Sequence, residues 1–451
     1  MVVARQNGEY IKFDSNKISM TSTEGFYKKT PAERLRIVKE LANLTDEETA
    51  LIKNTGALEI ERADMLAENV MGAAHLPLGI ATNFIINGRE VLVPMAIDEP
   101  SVIAAASFAA KLARPEGFTV SADEQEMIGQ IQLVEIPSMD SAKRLILERK
   151  KEILKLAAEQ DPLLVKYGGG VRDLEVRILE TKKGKMMILH LIVNVSDAYG
   201  PNAVTTMLEA ITPLVEEITK GKARIRMISN LAIRRLARAE AVWKREALAE
   251  SISAVDMDGD EIIDAILDGY YFAMADQFRA TTHNKGIMNG IDAVAIATSN
   301  DWRGIEAGAH SYAAITGKYL PLTKYEKDSN GNLKGSIELP IAVGVVGGAI
   351  NTNPLAKVCL KILRVKSAKE LAEIMAAVGL AQNFAAMRAL CTEGIQRGHM
   401  KLHAKNIAII AGAEGDLIET VAKQMAEEKK VTTSRAREIL EELKDKVKYV
   451  E

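Results

Sequence analysis

The chain reads as an α+β protein: a mostly helical large domain, an inserted βαββαβ module and a small C-terminal helical flap. Three observations lead there. Apolar residues recur at helical spacing through most of the 451 residues, a strand–helix–strand–strand–helix–strand order fills the middle, and two charged amphipathic helices close the chain. A chain this long forms two or three domains and buries a large core. The expected division is 1–125 with 230–395 for the large domain, 126–229 for the insert and 396–451 for the flap.

In chain order, Thr30-Pro31-Ala32-Glu33 opens the first helix, with a Thr cap, Pro at the first position and Glu three residues past the cap. More helix is expected through 46–75. Asn87-Gly88 turns the chain between strands 81–86 and 90–97, and Asp98-Glu99-Pro100-Ser101 leads into the small-residue helix Val102–Leu112. Within the insert, 130–136 alternates as a strand. Residues 138–159 are helical, with Ala142, Leu145, Ile146, Ile153 and Leu156 on one face. Strands 171–180 and 185–195 flank Lys182-Lys183-Gly184 as a hairpin; helix 202–219 and strand 224–229 complete a ferredoxin-like order. Helices follow over 233–250 and 260–280. A turn at 327–332 joins strands 323–325 and 335–339, 343–350 is a glycine-rich connection, and 367–395 and 415–448 are helical.

Composition excludes several function classes. A net charge of −3 and 4% aromatic residues offer nucleic acid neither a basic field nor a stacking platform. No run of about 18 uninterrupted apolar residues predicts a membrane helix, and the first ten residues do not read as a signal peptide. A soluble, cytoplasmic protein is expected. Cys359 and Cys391 are too few for a disulfide framework or a cysteine zinc site.

Several segments have the composition of sites. Lys285 lies in His283-Asn284-Lys285-Gly286-Ile287-Met288-Asn289-Gly290-Ile291-Asp292, with Ser299-Asn300-Asp301-Trp302-Arg303 close behind. Such a lysine either has a chemical task or snorkels from a core helix. Asp197-Ala198-Tyr199-Gly200-Pro201-Asn202 joins a strand to a helix, where free amides suit a pyrophosphate or where the turn is simply capped. The G-x-G-x-x-G fingerprint is absent there. Asp161 precedes Gly168-Gly169-Gly170; an acid near an anion site accepts from a ribose 2′-hydroxyl and repels a 2′-phosphate, yet many such acids are plain loop residues. Glu99, if turned inward, becomes a proton donor at neutral pH; if not, it is a helix-start carboxylate. His399 and His403 stand four apart, which suits a proton shuttle, a structural role or, last, zinc. Phe26-Tyr27-Lys28-Lys29 is either solvated surface or a contact for a nucleotide-tailed substrate.

Taken in order, these segments resemble class II 3-hydroxy-3-methylglutaryl-CoA reductase, the form found in bacteria and some archaea. The likeness runs through Glu-Asn-Val-Met-Gly at 68–72, Asn87 to Pro94, Glu99-Pro-Ser101, Asp197 to Asn202, His283 to Arg303, Val345-Val-Gly-Gly348 and Glu393 to Asn406. Tyr199-Gly200-Pro201 departs from the family's more usual Met-Gly-Ala. The resemblance implies a four-electron reduction of HMG-CoA to mevalonate by two hydride transfers, with CoA released between them, or the reverse. It assigns Glu99, Lys285, Asp301 and His399 to catalysis. Ser101, Arg279 and Asn289 would hold the hydroxymethylglutaryl group with Asn230 nearby, and Asp197, Ala198, Gly200 and Asn202 would hold the dinucleotide. Asp161 matches the acid of members preferring NADH, so NADH is expected over NADPH, and no metal. Family members form homodimers with interfacial active sites, grouped as hexamers (trimers of dimers); the small residues of 102–113 and 304–314 suit such packing.

Physics assigns the roles. Lys285 stabilises the oxyanion left by hydride addition. Burial lowers a lysine pKa by up to about 3–5 units, and a carboxylate at about 4 Å returns roughly 3 of them at an effective dielectric near 20. Asp301 is therefore expected beside Lys285. Glu99 protonates the final alkoxide and His399, on the flap, the departing thiolate. Two other classes compete: a zinc hydrolase on His399 and His403, which a chelator would inactivate, and a silent CoA-binding scaffold, which would not oxidise reduced nicotinamide.

Overall fold

The computed structural model describes residues 3–6, 9–12, 25–54, 56, 59–64, 68–252, 256–394, 404–428 and 430–448. The insert folds as expected. Strands Gly170–Thr181, Gly184–Asn194, Glu126–Val134 and Lys222–Ile228 lie in that spatial order, all antiparallel, which is the ferredoxin-like arrangement. Helix Pro201–Thr219 packs on them through Val204, Met207, Leu208, Ile211 and Val215, closing a core of its own. The single helix expected over 138–159 is two, Met139–Glu148 and Lys150–Ala158, broken where Arg149 leaves helical geometry at φ −93° and ψ 12°. A further turn of helix, Pro162–Lys166, separates them from the triple glycine.

The large domain is built on a sheet that the sequence revealed only in part. Its six strands run Thr323–Lys327, Leu333–Pro340, Leu236–Trp243, Phe118–Ala122, Leu78–Ile86, Arg89–Ala96. Leu236–Trp243 falls where helix 233–250 is expected. Ala237, Ala239, Ala241 and Trp243 point inward and are buried, while Arg238 pairs with Asp123, just past strand Phe118–Ala122, and with Glu338 on strand Leu333–Pro340. The period of two therefore overrides the helix-forming Ala, Arg and Glu of that segment. Helix over 46–75 is likewise reduced to Asp46–Lys53 and Ile60–Asp64, with no helix over 68–77.

Two helices dominate the core. Ala368–Cys391, capped by Ser367 on Glu370 N at 3.2 Å, lies against the sheet and against Gln277–Ala297, which carries Lys285. Phe384 of the first stacks on Trp243 at 3.8 Å between ring centroids. Ala368–Cys391 is long and apolar enough to cross a membrane by length and composition, but most of it is buried inside this core. Helix Val102–Leu112 also packs on it, and Ala106, Ala109 and Ala110 are buried within the chain itself rather than left free for a second copy. Asp416–Glu427 and Thr433–Lys448 share a separate small cluster around Val421, Met425 and Ile439.

Candidate active site

The segment around Lys285 splits by face. Asp276 caps helix Gln277–Ala297, accepting from Arg279 N at 2.8 Å. On the inner face, Asn284 donates to Leu320 O at 2.9 Å and accepts from Leu322 N at 3.0 Å. His283 is 1% exposed, with Nε2 2.6 Å from Thr323 Oγ1. Thr323 gives its proton to Asn383 at 3.1 Å, so Nε2 carries the ring hydrogen and Nδ1 is left buried without a partner. Burial, aided by the Arg279 charge, pushes this imidazole down to about 3. These amides are structural.

The outer face carries the candidate catalytic groups. Lys285, Asn289 and Asp292 follow at i, i+4 and i+7, which places them in line. Glu99, from the turn between strand Arg89–Ala96 and helix Val102–Leu112, lies across them. Its Oε2 is 2.7 Å from the Lys285 ammonium and its Oε1 accepts from Asn289 Nδ2 at 3.2 Å. Lysine and glutamate side chains are 57% and 41% exposed, so Glu99 is not turned into an apolar pocket in the single chain. Further along the face, burial and neighbouring Glu306 keep the Asp292 carboxyl protonated well above the usual range.

Two substrate candidates have unmet bonding capacity here. Ser101 takes a left-handed φ of 73°, makes no cap bond, and its buried hydroxyl has no partner. Arg279 is half-buried with no carboxylate partner among the described residues; its Nη2 meets only Met387 Sδ at 3.7 Å. Asn230 sits apart, its carbonyl against Gly308 of helix Trp302–Ala313.

Asp301 is not where the charge argument puts it. It caps helix Trp302–Ala313, with Oδ1 accepting from Gly304 N at 3.1 Å and Oδ2 from the Tyr199 hydroxyl at 2.8 Å. Within one chain, about 18 Å of helix separates Lys285 from the end at Ala297. No contact joins Lys285 to Asp301 among the described residues. Lys285 meets its countercharge in Glu99 and keeps water around it, so the desolvation that called for a second acid is small.

The loop from Asp197 to Asn202 is the candidate cofactor-binding segment. Gly200, at φ 97°, precedes a 19-residue helix start that no side chain caps, and a Cβ on it would come within 2.4 Å of Val195. Free amides behind a glycine elbow, with exposed Asn202 beside them, fit the phosphates of a dinucleotide. Asp197 faces the other way: its Oδ1 accepts from Ala368 N at 2.8 Å and its carbonyl from Val345 N at 2.9 Å. Ala198 bridges to Val346. Gly344 lets the backbones meet, since a Cβ there would lie 2.4 Å from Tyr199 N. Asp161 caps helix Pro162–Lys166 through Leu164 N at 2.8 Å, leaving one oxygen free. A cleft of about 220 Å³ between module and large domain is lined by Asp123, Glu124, Asp197, Gly168 and Lys369.

Three residues escaped the sequence reading. Asn300 clamps Gly344 from both sides, donating to its carbonyl at 3.2 Å and accepting from its nitrogen at 2.8 Å. Tyr199 reaches Asp301. Arg235, 1% exposed, donates to Gln125 Oε1 at 3.0 and 2.7 Å, to Tyr199 O at 3.2 Å and to Val343 O. Burial brings its guanidinium down to about 10. Asn300 and Tyr199 lay inside quoted motifs; Arg235, in an arginine-rich stretch, gave no signal. His399 and His403 lie outside the described residues.

Comparison with known proteins gives one answer. The family model described as hydroxymethylglutaryl-coenzyme A reductase matches residues 30–404. The 3-hydroxy-3-methylglutaryl-coenzyme A reductase of Archaeoglobus fulgidus is 53% identical over 98% of this chain and 100% of its own. A solved reductase from Streptococcus pneumoniae superposes with a TM-score of 0.79 at 39% identity, over 94% of this chain and 100% of its own. Another from that organism, a class II structure bound to NADPH in open conformations, scores 0.78 at 40% identity, over 83% of this chain and 100% of that one.

Proposed function

Because the chain belongs to the hydroxymethylglutaryl-coenzyme A reductase family and is a nicotinamide-dependent oxidoreductase of that kind, we propose that the Glu99–Lys285–Asn289 group carries its reaction. The observation that supports this most is Glu99 lying across Lys285 and Asn289 at 2.7 and 3.2 Å. Bound dinucleotide supplies the hydrides. Lys285 stabilises the oxyanion that each reduction leaves on the substrate carbonyl. Glu99, within hydrogen-bond reach of that ammonium, delivers the proton taken up by the last alkoxide. His399 protonates the CoA thiolate as it leaves.

The hydroxymethylglutaryl carboxylate takes Arg279, whose free guanidinium is the natural bidentate partner. Ser101 and Asn289 meet the hydroxyl and carbonyl oxygens, with Asn230 as a peripheral contact. Gly200, Asn202 and the first amides of helix Pro201–Thr219 hold the pyrophosphate, while Asp197 and Ala198 fasten the loop. The acids of the cleft and the free oxygen of Asp161 favour NADH over NADPH, because a 2′-phosphate there would meet like charge. Of the five hydrophobic clusters among the described residues, three lie within 1–125 and 230–395, one within 126–229 and one within 396–451, which supports that division. Catalysis is assigned to the cytoplasm, since the long apolar helix is used in core packing.

The separation of Lys285 from Asp301 supports a site shared between two copies, in which one supplies Glu99 and Lys285 and the other Asp301 with the cofactor loop. A homodimer follows, and hexamers as trimers of dimers. Oxidation of NADH and of NADPH, followed by nicotinamide absorbance with and without HMG-CoA, tests the whole reading. Substrate-dependent turnover with kcat/KM higher for NADH is expected. Turnover favouring NADPH by about tenfold or more rejects the role given to Asp161, and its absence in Lys285→Ala but not wild type is required of the lysine. His399→Gln should slow reduction of the thioester far more than that of free mevaldehyde; equal losses would remove it as thiolate donor.

A further inference from the structure

We propose that Tyr199 is a positioning residue for this reaction, its hydroxyl fixing the Asp301 carboxylate and tying that acid to the loop that receives the cofactor. The proposal rests on reading Asp301 as part of the site. The two Asp301 oxygens each have a donor from a different element: Gly304 N at 3.1 Å from its own helix, and the Tyr199 hydroxyl at 2.8 Å from the insert. Tyr199 is itself held at both ends. Its ring packs on the core of the insert, and its carbonyl accepts from Arg235 at 3.2 Å. Burial and the Asp301 charge hold the phenol well above its ordinary range, so it stays protonated and donates.

Other charges at Asp301 are few. Arg235 lies behind the tyrosine, Arg303 turns onto the Trp302 ring at 5.4 Å, and Glu306 is engaged with Asp292. The segments 298–300 and 340–348, which pack on the same corner, contain no charged residue. Tyr199 is thus the single side-chain hydrogen-bond donor to this acid among the described residues.

The hydroxyl fixes one carboxylate oxygen in place, so its loss should act on the chemical step rather than on substrate binding. Tyr199→Phe keeps the ring and should retain the melting temperature. It should lower kcat by about tenfold, equivalent to about 1.4 kcal/mol, while the KM for HMG-CoA changes by less than about twofold. Tyr199→Met, which lacks the hydroxyl by other means, should lower kcat to a similar extent with KM as little changed. In an Asp301→Asn background the Phe substitution should cost nothing further. An equal loss in both backgrounds, or a rise in KM that accounts for the lost kcat/KM, overturns the proposal alone. Full activity in Asp301→Asn by itself overturns the reading of Asp301 and the proposal with it.

Discussion

At the scale of single residues, a few buried polar groups among the described residues lack hydrogen-bond partners. A buried hydroxyl without a partner is costly to keep, and Ser101 keeps one beside Glu99 in a left-handed backbone. Ser101→Ala should therefore leave unfolding free energy within about 0.5 kcal/mol of wild type, while the KM for HMG-CoA rises by about tenfold. Denaturant melts beside steady-state kinetics check it; a destabilised variant with unchanged KM would make the serine structural. Residue identities at the site were legible because motifs such as Glu99-Pro100-Ser101 and Asn284-Lys285-Gly286 are compact. Their pairings were not. Lys285 was matched to Asp301 by a charge argument that assumed burial, and the lysine instead stays hydrated against Glu99. Arg235 was invisible for a different reason: its acceptors are two carbonyls and an amide contributed by three distant segments.

At the scale of elements, one buried network ties three of them. His283 on the lysine helix, Thr323 and Tyr325 on an edge strand and Asn383 on the core helix exchange hydrogen bonds of 2.6 to 3.2 Å. The imidazole at about 3 sits far below its ordinary value near 6.5. Between those values the unfolded chain binds a proton that the folded chain refuses, so stability falls as pH drops through the window and is unaffected above it. The slope approaches about 1.4 kcal/mol per pH unit. Urea melts from about pH 7.5 down to about pH 4.5 should show this loss, and His283→Gln should flatten it; the same slope in both proteins would discount the histidine. The insert was legible because its hydrophobic period changes cleanly from two to 3.6 and back. Leu236–Trp243 was not, since alanines at alternate positions carry little hydrophobic contrast and their neighbours favour helices. The break at Arg149 has no Gly or Pro to announce it; the guanidinium there bonds Glu152 and Glu217.

At the scale of the whole molecule, Lys285 lies mid-helix in Gln277–Ala297 and Asp301 caps the helix after it, a gap that the proposed second copy closes. Lys285→Ala and Asp301→Asn should each keep only a small residual activity alone. Co-refolded in equal amounts, half the dimers are mixed and each holds one intact site, so about one quarter of wild-type activity should return. No recovery in verified mixed dimers would place both residues in one subunit's site. The overall architecture was legible as an insert between two stretches of one domain, but the six-stranded sheet joins strands from 78 to 340, and such long-range pairing leaves little local trace. The insert's attachment has a practical consequence. Arg235 grips the incoming crossing at Gln125, the loop at Tyr199 and the far segment at Val343 with one fully enclosed cation. Exchanging the insert at its two crossings would leave that cation with Gln125 and Val343 but replace the loop that supplies the Tyr199 carbonyl, and interiors tolerate an under-satisfied charge poorly. Swapping cofactor preference between relatives by exchanging the insert therefore demands an incoming loop that presents a carbonyl to Arg235.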